Sequence, residues 1–354
     1  MTYKYISSIH SHMLYYSFII LLSIFLLLFT IFASHRLRAK SSYNNTVMIL
    51  IPQNSSYTGA LDILKSNGII DYKEFYVFLS RLSGADKKLK AGYYNFNKNA
   101  SPLEVFFTLM KGKILTTTIT VLEGDSLLDI CDKLSKQEDI SYEYCLNLAR
   151  DKSLLNKLNI NAPSLEGYLF PETYIFTKGL PLQYIFTHMV EELHKNFNTP
   201  LIERAKSLGM TRKEVLTIAS MIAKEAVVDE ERPIISAVFH NRLQIGMMLQ
   251  SDPTAVYGIK QKGQKITSQD IRQYNEYNTY FIPALPPGPI ASAGIKSIKA
   301  ALYPGKVNYL YFVAKQDGTH HFSTDYMSHL NGIQKYLTNN RGICKEDNLD
   351  IFSK

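Results

Sequence analysis

The segment Thr211–Asp252, TRKEVLTIASMIAKEAVVDEERPIISAVFHNRLQIGMMLQSD, decides how this chain is read. Thr211 followed by Glu214 is a capping box: the threonine oxygen accepts a backbone N–H and the glutamate reaches back. A helix is therefore expected to start here and run to about Asp229. Val215, Ile218, Ile222 and Ala226 recur at helical spacing and form its apolar face. Glu225 projects from the edge of that face. A carboxyl held there loses part of its hydration, and because desolvation disfavours the charged form its pKa rises. Such a group can carry a proton near neutrality, as a general acid must. A boundary glutamate paired with Arg232 explains the same pattern, and the helix alone leaves both readings open. A second helix, from roughly Pro233 to Ile245 with Gly246 behind it, makes a helical hairpin that can present Glu225 and Asn241 toward a common space.

The 354 residues suffice for two domains, and 46% hydrophobic with 20% charged residues describes a globular chain. A net charge of +8 admits an anionic partner. The basic residues are scattered, however, with no run interleaved with aromatics, so no nucleic acid is expected. The motifs CxxC, HExxH, GxxxxGK and GxSxG are missing, which removes the common zinc, phosphate-loop and serine-hydrolase readings, and no cofactor is expected. His320, His321 and His329 have no carboxylate or cysteine at ligand spacing, so no metal is assigned to them. Cys131 and Cys145 are expected as two independent thiols, with pairing in an oxidising compartment as the alternative.

Residues 14–32, LYYSFIILLSIFLLLFTIF, contain no charge and are long enough for a retained transmembrane helix; a signal peptide's apolar region is only ~7–15 residues. Lys4 precedes this segment and Arg36, Arg38 and Lys40 follow it, a local bias that favours placing the C-terminal side inside the cell. A polar linker at 33–45 leads to VMILI at 47–51, expected as a buried strand. Helices are expected at Tyr57–Asn67, at Lys73–Ser83 carrying Phe75, Phe78, Leu79 and Leu82, and at Pro102–Lys111, with a strand beginning at Ala91-Gly92-Tyr93-Tyr94. The strand–turn–helix pattern of VMILIPQNSSYTGALDIL recurs in TTTITVLEGDSLLDICDKL from Thr117, suggesting small βα units that bind or position something, or act as a spacer. In SLEGYLFPETY at 164–174, Glu166 and Glu172 stand among apolar residues, where a carboxylate is costly unless paired. The stretch is either core with one satisfied glutamate or an aromatic wall of a sugar-binding cleft. Gln250, Ser251 and Asp252 lie in a loop, and the YNTY and LPPGPI segments, with Tyr280 in the first, form proline-stiffened loops.

EGYLFPETY at 166–174, IASMIAKEA at 218–226, VFHNRLQIGMMLQSDPT at 238–254, YNTY at 277–280, LPPGPIA at 285–291, and YLYFVA followed by GTHHFS occur together and in order. In this the chain resembles the MltG (YceG-like) family of endolytic murein transglycosylases. The resemblance implies an α+β protein with an N-terminal transmembrane helix, a small LysM-like βα module, and a C-terminal mixed α/β catalytic domain whose helical hairpin carries the catalytic glutamate. On this chain that division places a cytoplasmic N-terminus at 1–13, the anchor at 14–32, LysM-like wall-binding modules at 46–155, the catalytic domain at 156–340 and a tail at 341–354. The family's glutamate motif, usually A-S-I-I-E-K-E, maps its catalytic residue onto Glu225. Its first, non-catalytic glutamate is Ala223 here, and Ala293 stands where the family usually has proline. Glu166, Asn241, Gln250, Asp252 and Tyr280 lie in the matching blocks and are implied as supporting or glycan-contacting groups.

The implied activity is cleavage of the MurNAc-β-1,4-GlcNAc bond within peptidoglycan glycan strands, leaving a 1,6-anhydro end and terminating nascent strands. Ordinary glycosidases use two carboxyl groups. A lytic transglycosylase needs one, because the sugar's own C6 hydroxyl attacks the anomeric carbon. The implied partners are glycan strands, the cell membrane and peptidoglycan synthases (penicillin-binding proteins). The wall lies outside the cytoplasmic membrane, so the expected location of everything after the anchor is extracytoplasmic, against the local charge bias. A muramidase using Asp252 or Glu166 as second carboxylate, and a non-catalytic wall-binding scaffold, are the alternatives.

Overall fold

In the computed structural model, residues 46–138, 140–260 and 263–338 are described, together with Ile19, Ile20, Leu22 and Ser23. The expected N-terminus, linker and tail, and nearly all of the expected membrane helix at 14–32, lie outside the described residues. Among the described residues no helix is long and apolar enough to cross a membrane.

β1 (Thr46–Ile51) pairs antiparallel with β2 (Gly92–Asn97), Ile49 opposite Tyr94 and Ile51 opposite Gly92. Strand side chains alternate between faces. Accordingly Ile49, Ile51, Tyr94 and Phe96 are buried while Met48 and Leu50 are exposed, so VMILI is buried on one face only. Between the strands run α1 (Tyr57–Ser66), capped by the Ser56 hydroxyl, and α2 (Lys73–Ser83); α3 (Pro102–Lys111) follows β2. On α2 the core takes Tyr76 and Ser80, leaving Phe78 62% and Leu82 71% exposed. These elements belong to a first compact unit, residues up to Thr116 with Thr177–Gly179.

The second unit takes in Thr117–Phe176 and the chain from Leu180 onward. The expected LysM-like span 46–155 runs across that boundary. The second βα repeat, β3 (Thr116–Thr120) and α4 (Leu127–Gln137), sends Ile119, Leu127, Ile130 and Leu134 into one core with Phe186, Met189, Ile218 and Ile222. A resemblance between two strand–helix patterns says nothing about which core each one feeds. α4 is joined to α5 (Tyr142–Ala149) by a Cys131–Cys145 disulfide, which replaces the expected independent thiols. Both cysteines face the core, and their Cα atoms are 5.6 Å apart, within bridging range.

After α6 (Lys152–Lys157), β4 (Thr173–Thr177) pairs with β3, and α7 (Leu182–Asn196) and α8 (Thr199–Ser207) lead to α9 (Arg212–Glu225). α9 is buried on every side from Val215 to Ile222 and packs against α10 (Arg232–Gln244) and, beyond the short α11 (Asp252–Ala255) and α12 (Ser268–Ile271), α13 (Ile295–Leu302). An antiparallel hairpin of β5 (Tyr311–Ala314) and β6 (His320–Ser323) and then α14 (Tyr326–Ile333) complete the described part. The EGYLFPETY stretch is core: Leu165, Tyr168, Leu169, Phe170 and Tyr174 are buried, so it is not an aromatic wall open to sugar. Gly167 turns there with φ +75°, and a Cβ would meet Pro289 at 2.2 Å, which is how this stretch seats against the LPPGPI loop. The architecture is a mixed α/β fold of many helices and small two-stranded sheets.

Candidate active site

The capping box forms as the sequence predicts: Thr211 Oγ1 accepts from Glu214 N, and Glu214 Oε2 accepts from Thr211 N at 2.7 Å. The helix ends at Glu225, four residues short of the expected Asp229, because Ala226 is already extended and the β-branched Val227 and Val228 follow it. Glu225 is thus the last helical residue, half-buried at the carbonyl end of a helix that is itself core. Burial pushes its carboxyl up to about 7, helped by the nearby charge of Asp252 and opposed by a hydrogen bond from Ser251. The negative end of the helix acts in the same sense as burial.

The cation that offered the plainer explanation of Glu225 is occupied elsewhere. Arg232 bonds Asp229 at 2.9 Å, Glu123 at 3.0 Å and Ser297 Oγ at 2.5 Å. Lys224, the next residue along, donates to Gly124 O at 3.0 Å. Among the described residues no ion pair reaches Glu225, so its burial is not offset by a positive partner.

Ser251 supplies what holds it. Ser251 Oγ donates to Glu225 Oε1 at 2.6 Å. The serine is fixed in turn by a buried polar knot: its N–H donates to Thr279 Oγ1 at 3.0 Å, its carbonyl accepts from Thr254 Oγ1 at 2.6 Å, and the Thr254 and Thr279 hydroxyls lie 2.8 Å apart. Gln250 adopts φ +49° and donates its N–H to Thr279 O. Asp252 opens α11 and accepts from Tyr280 OH at 2.6 Å; burial raises both groups above their usual pKa. Glu225, Ser251, Asp252 and Tyr280 therefore form one carboxyl cluster drawn from the helix, the 247–254 loop and the YNTY segment.

The other expected residues fall elsewhere. Glu166 is buried beneath this region, accepting from Leu127 N at the start of α4 and from Tyr257 OH at 2.9 Å. Burial pushes it to about 7, against the pull of those hydrogen bonds. Asn241 does not meet Glu225 across the hairpin: its amide donates to Val307 O and Tyr309 O, both at 2.9 Å, and anchors the approach to β5. Gln250 contributes chain geometry, its side-chain oxygen lying 3.4 Å from Arg242. The sequence places Ser251 and Thr279 in loops and gives neither a role. The partner of Glu225 is 26 residues away, and no periodicity reports that distance. His320 bonds Glu231 through Nδ1 at 2.7 Å, and among the described residues no cluster of acidic, histidine or cysteine side chains has metal-ligating geometry. Beside the cluster, a cavity of about 200 Å³ is lined by Ser126, Lys224, Pro253, Tyr257, Gln264 and Ile290 among others.

The half-buried Glu225 carboxyl, pushed up to about 7, bonded by a serine and without an ion-pair partner among the described residues, has the properties a general acid/base needs, and the sequence places the chain in a family. Residues 49–335 match the model of the YceG-like family, and the chain belongs to it. It is 33% identical over 310 residues to the endolytic murein transglycosylase of Bacillus subtilis (strain 168), covering 83% of this chain and 85% of that relative. It is 27% identical to the endolytic murein transglycosylase of Streptococcus pneumoniae serotype 2, where the match spans 82% of this chain and 58% of the longer relative. A crystal structure of a yceG-like protein from Listeria monocytogenes superposes with a TM-score of 0.57 at 30% identity, covering 81% of this chain and 98% of that one.

Proposed function

We propose that this chain is an endolytic murein transglycosylase, a lyase that cuts the MurNAc-β-1,4-GlcNAc bond within peptidoglycan strands. The observation that carries the reading is the state of Glu225: half-buried at the end of α9, bonded by Ser251 at 2.6 Å, without an ion-pair partner among the described residues, and pushed up to about 7. A single carboxyl of that kind can serve twice. Protonated Glu225 gives its proton to the glycosidic oxygen as the C1–O bond breaks. The C6 hydroxyl of the same MurNAc then closes on C1, and the carboxylate takes the hydroxyl proton, which restores the acid and leaves a 1,6-anhydro end. Intramolecular attack replaces the second carboxyl of an ordinary glycosidase by proximity. Asp252 stays a stabiliser rather than a nucleophile, since its carboxylate is engaged by Tyr280. Its position beside Glu225 is nevertheless the one feature that favours a muramidase as second reading.

The strand–helix–helix–strand order of Thr46–Asn97 is compatible with a LysM-like, wall-binding first unit. The uncharged 14–32 segment supports a single membrane anchor. The Cys131–Cys145 disulfide favours an oxidising, extracytoplasmic location for the catalytic unit, in agreement with where the substrate lies. Cutting within strands beside the membrane would terminate nascent glycan next to the synthases that extend it.

Mass spectrometry of glycan strands digested by the full chain tests the reaction. Ends lighter by one water than reducing ends support the transglycosylase; full-mass reducing ends assign the muramidase, and intact strands the scaffold. A reporter fused after residue 354 that is active only in the cytoplasm would overturn the proposed topology.

A further inference from the structure

Arg242 is an internal cation that the reaction does not use. It lies on α10, buried, with no carboxylate paired to it among the described residues. Its donors go to carbonyls: Nε to Leu310 O at 2.6 Å, Nη1 to Leu249 O at 2.8 Å and to Met248 O at 3.2 Å, with Gln250 Oε1 at 3.4 Å. The Tyr311 ring lies 5.2 Å from the guanidinium. Met248, Leu249 and Gln250 are the three residues before Ser251. Gln250 is in the left-handed region, which a residue with a Cβ resists, so the turn needs something to hold it. The next residue in the chain delivers its hydroxyl to Glu225.

We propose that Arg242 is the positioning residue of the acid/base centre, clamping Met248–Gln250 in the turn that carries the Ser251 hydroxyl to Glu225. The inference rests on the reading of Glu225 as the acid/base. A planar fork that reaches Leu310, just ahead of β5, on one side and two successive carbonyls on the other fixes the loop against the approach to the strand. A lysine, with one point of charge, cannot span both. Arg242 also faces Tyr280, the donor to Asp252, so its charge sits behind the second carboxyl of the cluster. Tyr311, Tyr280 and, on α14, His329 are its titratable neighbours, and burial together with Arg242 holds His329 down at about 4, neutral throughout the working range.

The test is a double-mutant cycle on soluble glycan strands with Arg242→Lys, Ser251→Ala and the two combined, following kcat, KM and the pH dependence of kcat, with thermal melts to confirm folding. Each single change is expected to lower kcat on the order of 10- to 100-fold with KM little altered. The combined variant should be no slower than the slower single one, since both act through the same hydrogen bond. Both singles should move the Glu225 limb of the pH profile upward, because the Ser251 bond is what opposes its rise. Introducing Gln250→Gly into Arg242→Lys should recover part of kcat, as glycine accepts the left-handed turn unaided. Independent, multiplying losses, an unmoved pH limb, or full activity in Arg242→Lys would overturn the proposal. A wild-type chain that releases no anhydro ends would refute the catalytic reading instead.

Discussion

The hydroxyl of Ser251 lies 2.6 Å from Glu225 Oε1 and donates to it, joining the end of α9 to a loop that arrives 26 residues later. The bond opposes the rise that burial imposes on Glu225, and the balance leaves the carboxyl at about 7. An acid is most useful when its pKa matches the working pH. Because the protonated form begins the reaction, kcat is expected to be level on the acid side and to fall as pH rises through about 7. Ser251→Ala should carry that fall to higher pH. A pH–rate profile on soluble strands checks both, and a limb near the ordinary carboxylate range would contradict the assignment.

Glu166 makes stability, rather than turnover, depend on pH. Its folded carboxyl is pushed up to about 7 from the usual 4.5. The folded chain therefore binds a proton that the unfolded chain gives up, so the stabilisation is present in full below 4.5 and is lost as pH rises through 7. A shift of that size corresponds to about 3 kcal/mol. Glu225 contributes with the same sign. Urea unfolding between acid and neutral pH should show stability declining, with a shallower decline in Glu166→Gln. An identical slope in that variant would argue against the buried, raised carboxyl.

How far the site was legible in the sequence follows from what each signal measures. The Thr211–Glu214 box and the apolar spacing located α9 and put Glu225 at its margin, because both are properties of a few consecutive residues. The end of that helix was misjudged, since Val227 and Val228 weaken a helix without any glycine to mark its stop. Asn241 was assigned to the cleft on helix-hairpin geometry, yet its amide is spent on Val307 and Tyr309. Ser251 and Thr254 form a knot with Thr279, which lies 28 and 25 residues further on, and only the folded chain brings it to them. The aromatics around Glu166 read equally as core or as cleft; their burial decides for core.

The Asn241 assignment has its own consequence. Two hydrogen bonds anchor the approach to β5, and removing them leaves two carbonyls short of a donor. Asn241→Ala should cost about 1–3 kcal/mol in unfolding free energy. Turnover per folded molecule should fall much less than in Ser251→Ala. A turnover defect as large as that of Ser251→Ala, without loss of stability, would return Asn241 to the cleft.

The disulfide between α4 and α5 closes a short loop within the second unit. Titration of the denatured, non-reduced chain should find one free thiol, that of Cys344, from the three cysteines. The paired change Cys131→Ser with Cys145→Ser should destabilise by about 3 kcal/mol. Three reactive thiols in protein exported to an oxidising compartment would be incompatible with the bridge.

Everything said of the mechanism converges on one carboxyl. Glu225→Gln keeps the shape and can still accept from Ser251, but it has no proton to give. Digestion of glycan strands by wild type and Glu225→Gln side by side, read by mass spectrometry after melts confirm that both are folded, measures that directly. The wild type should release 1,6-anhydro ends and the variant should be slower by on the order of 10²- to 10⁴-fold. A folded Glu225→Gln that produces anhydro ends at the wild-type rate would contradict the account.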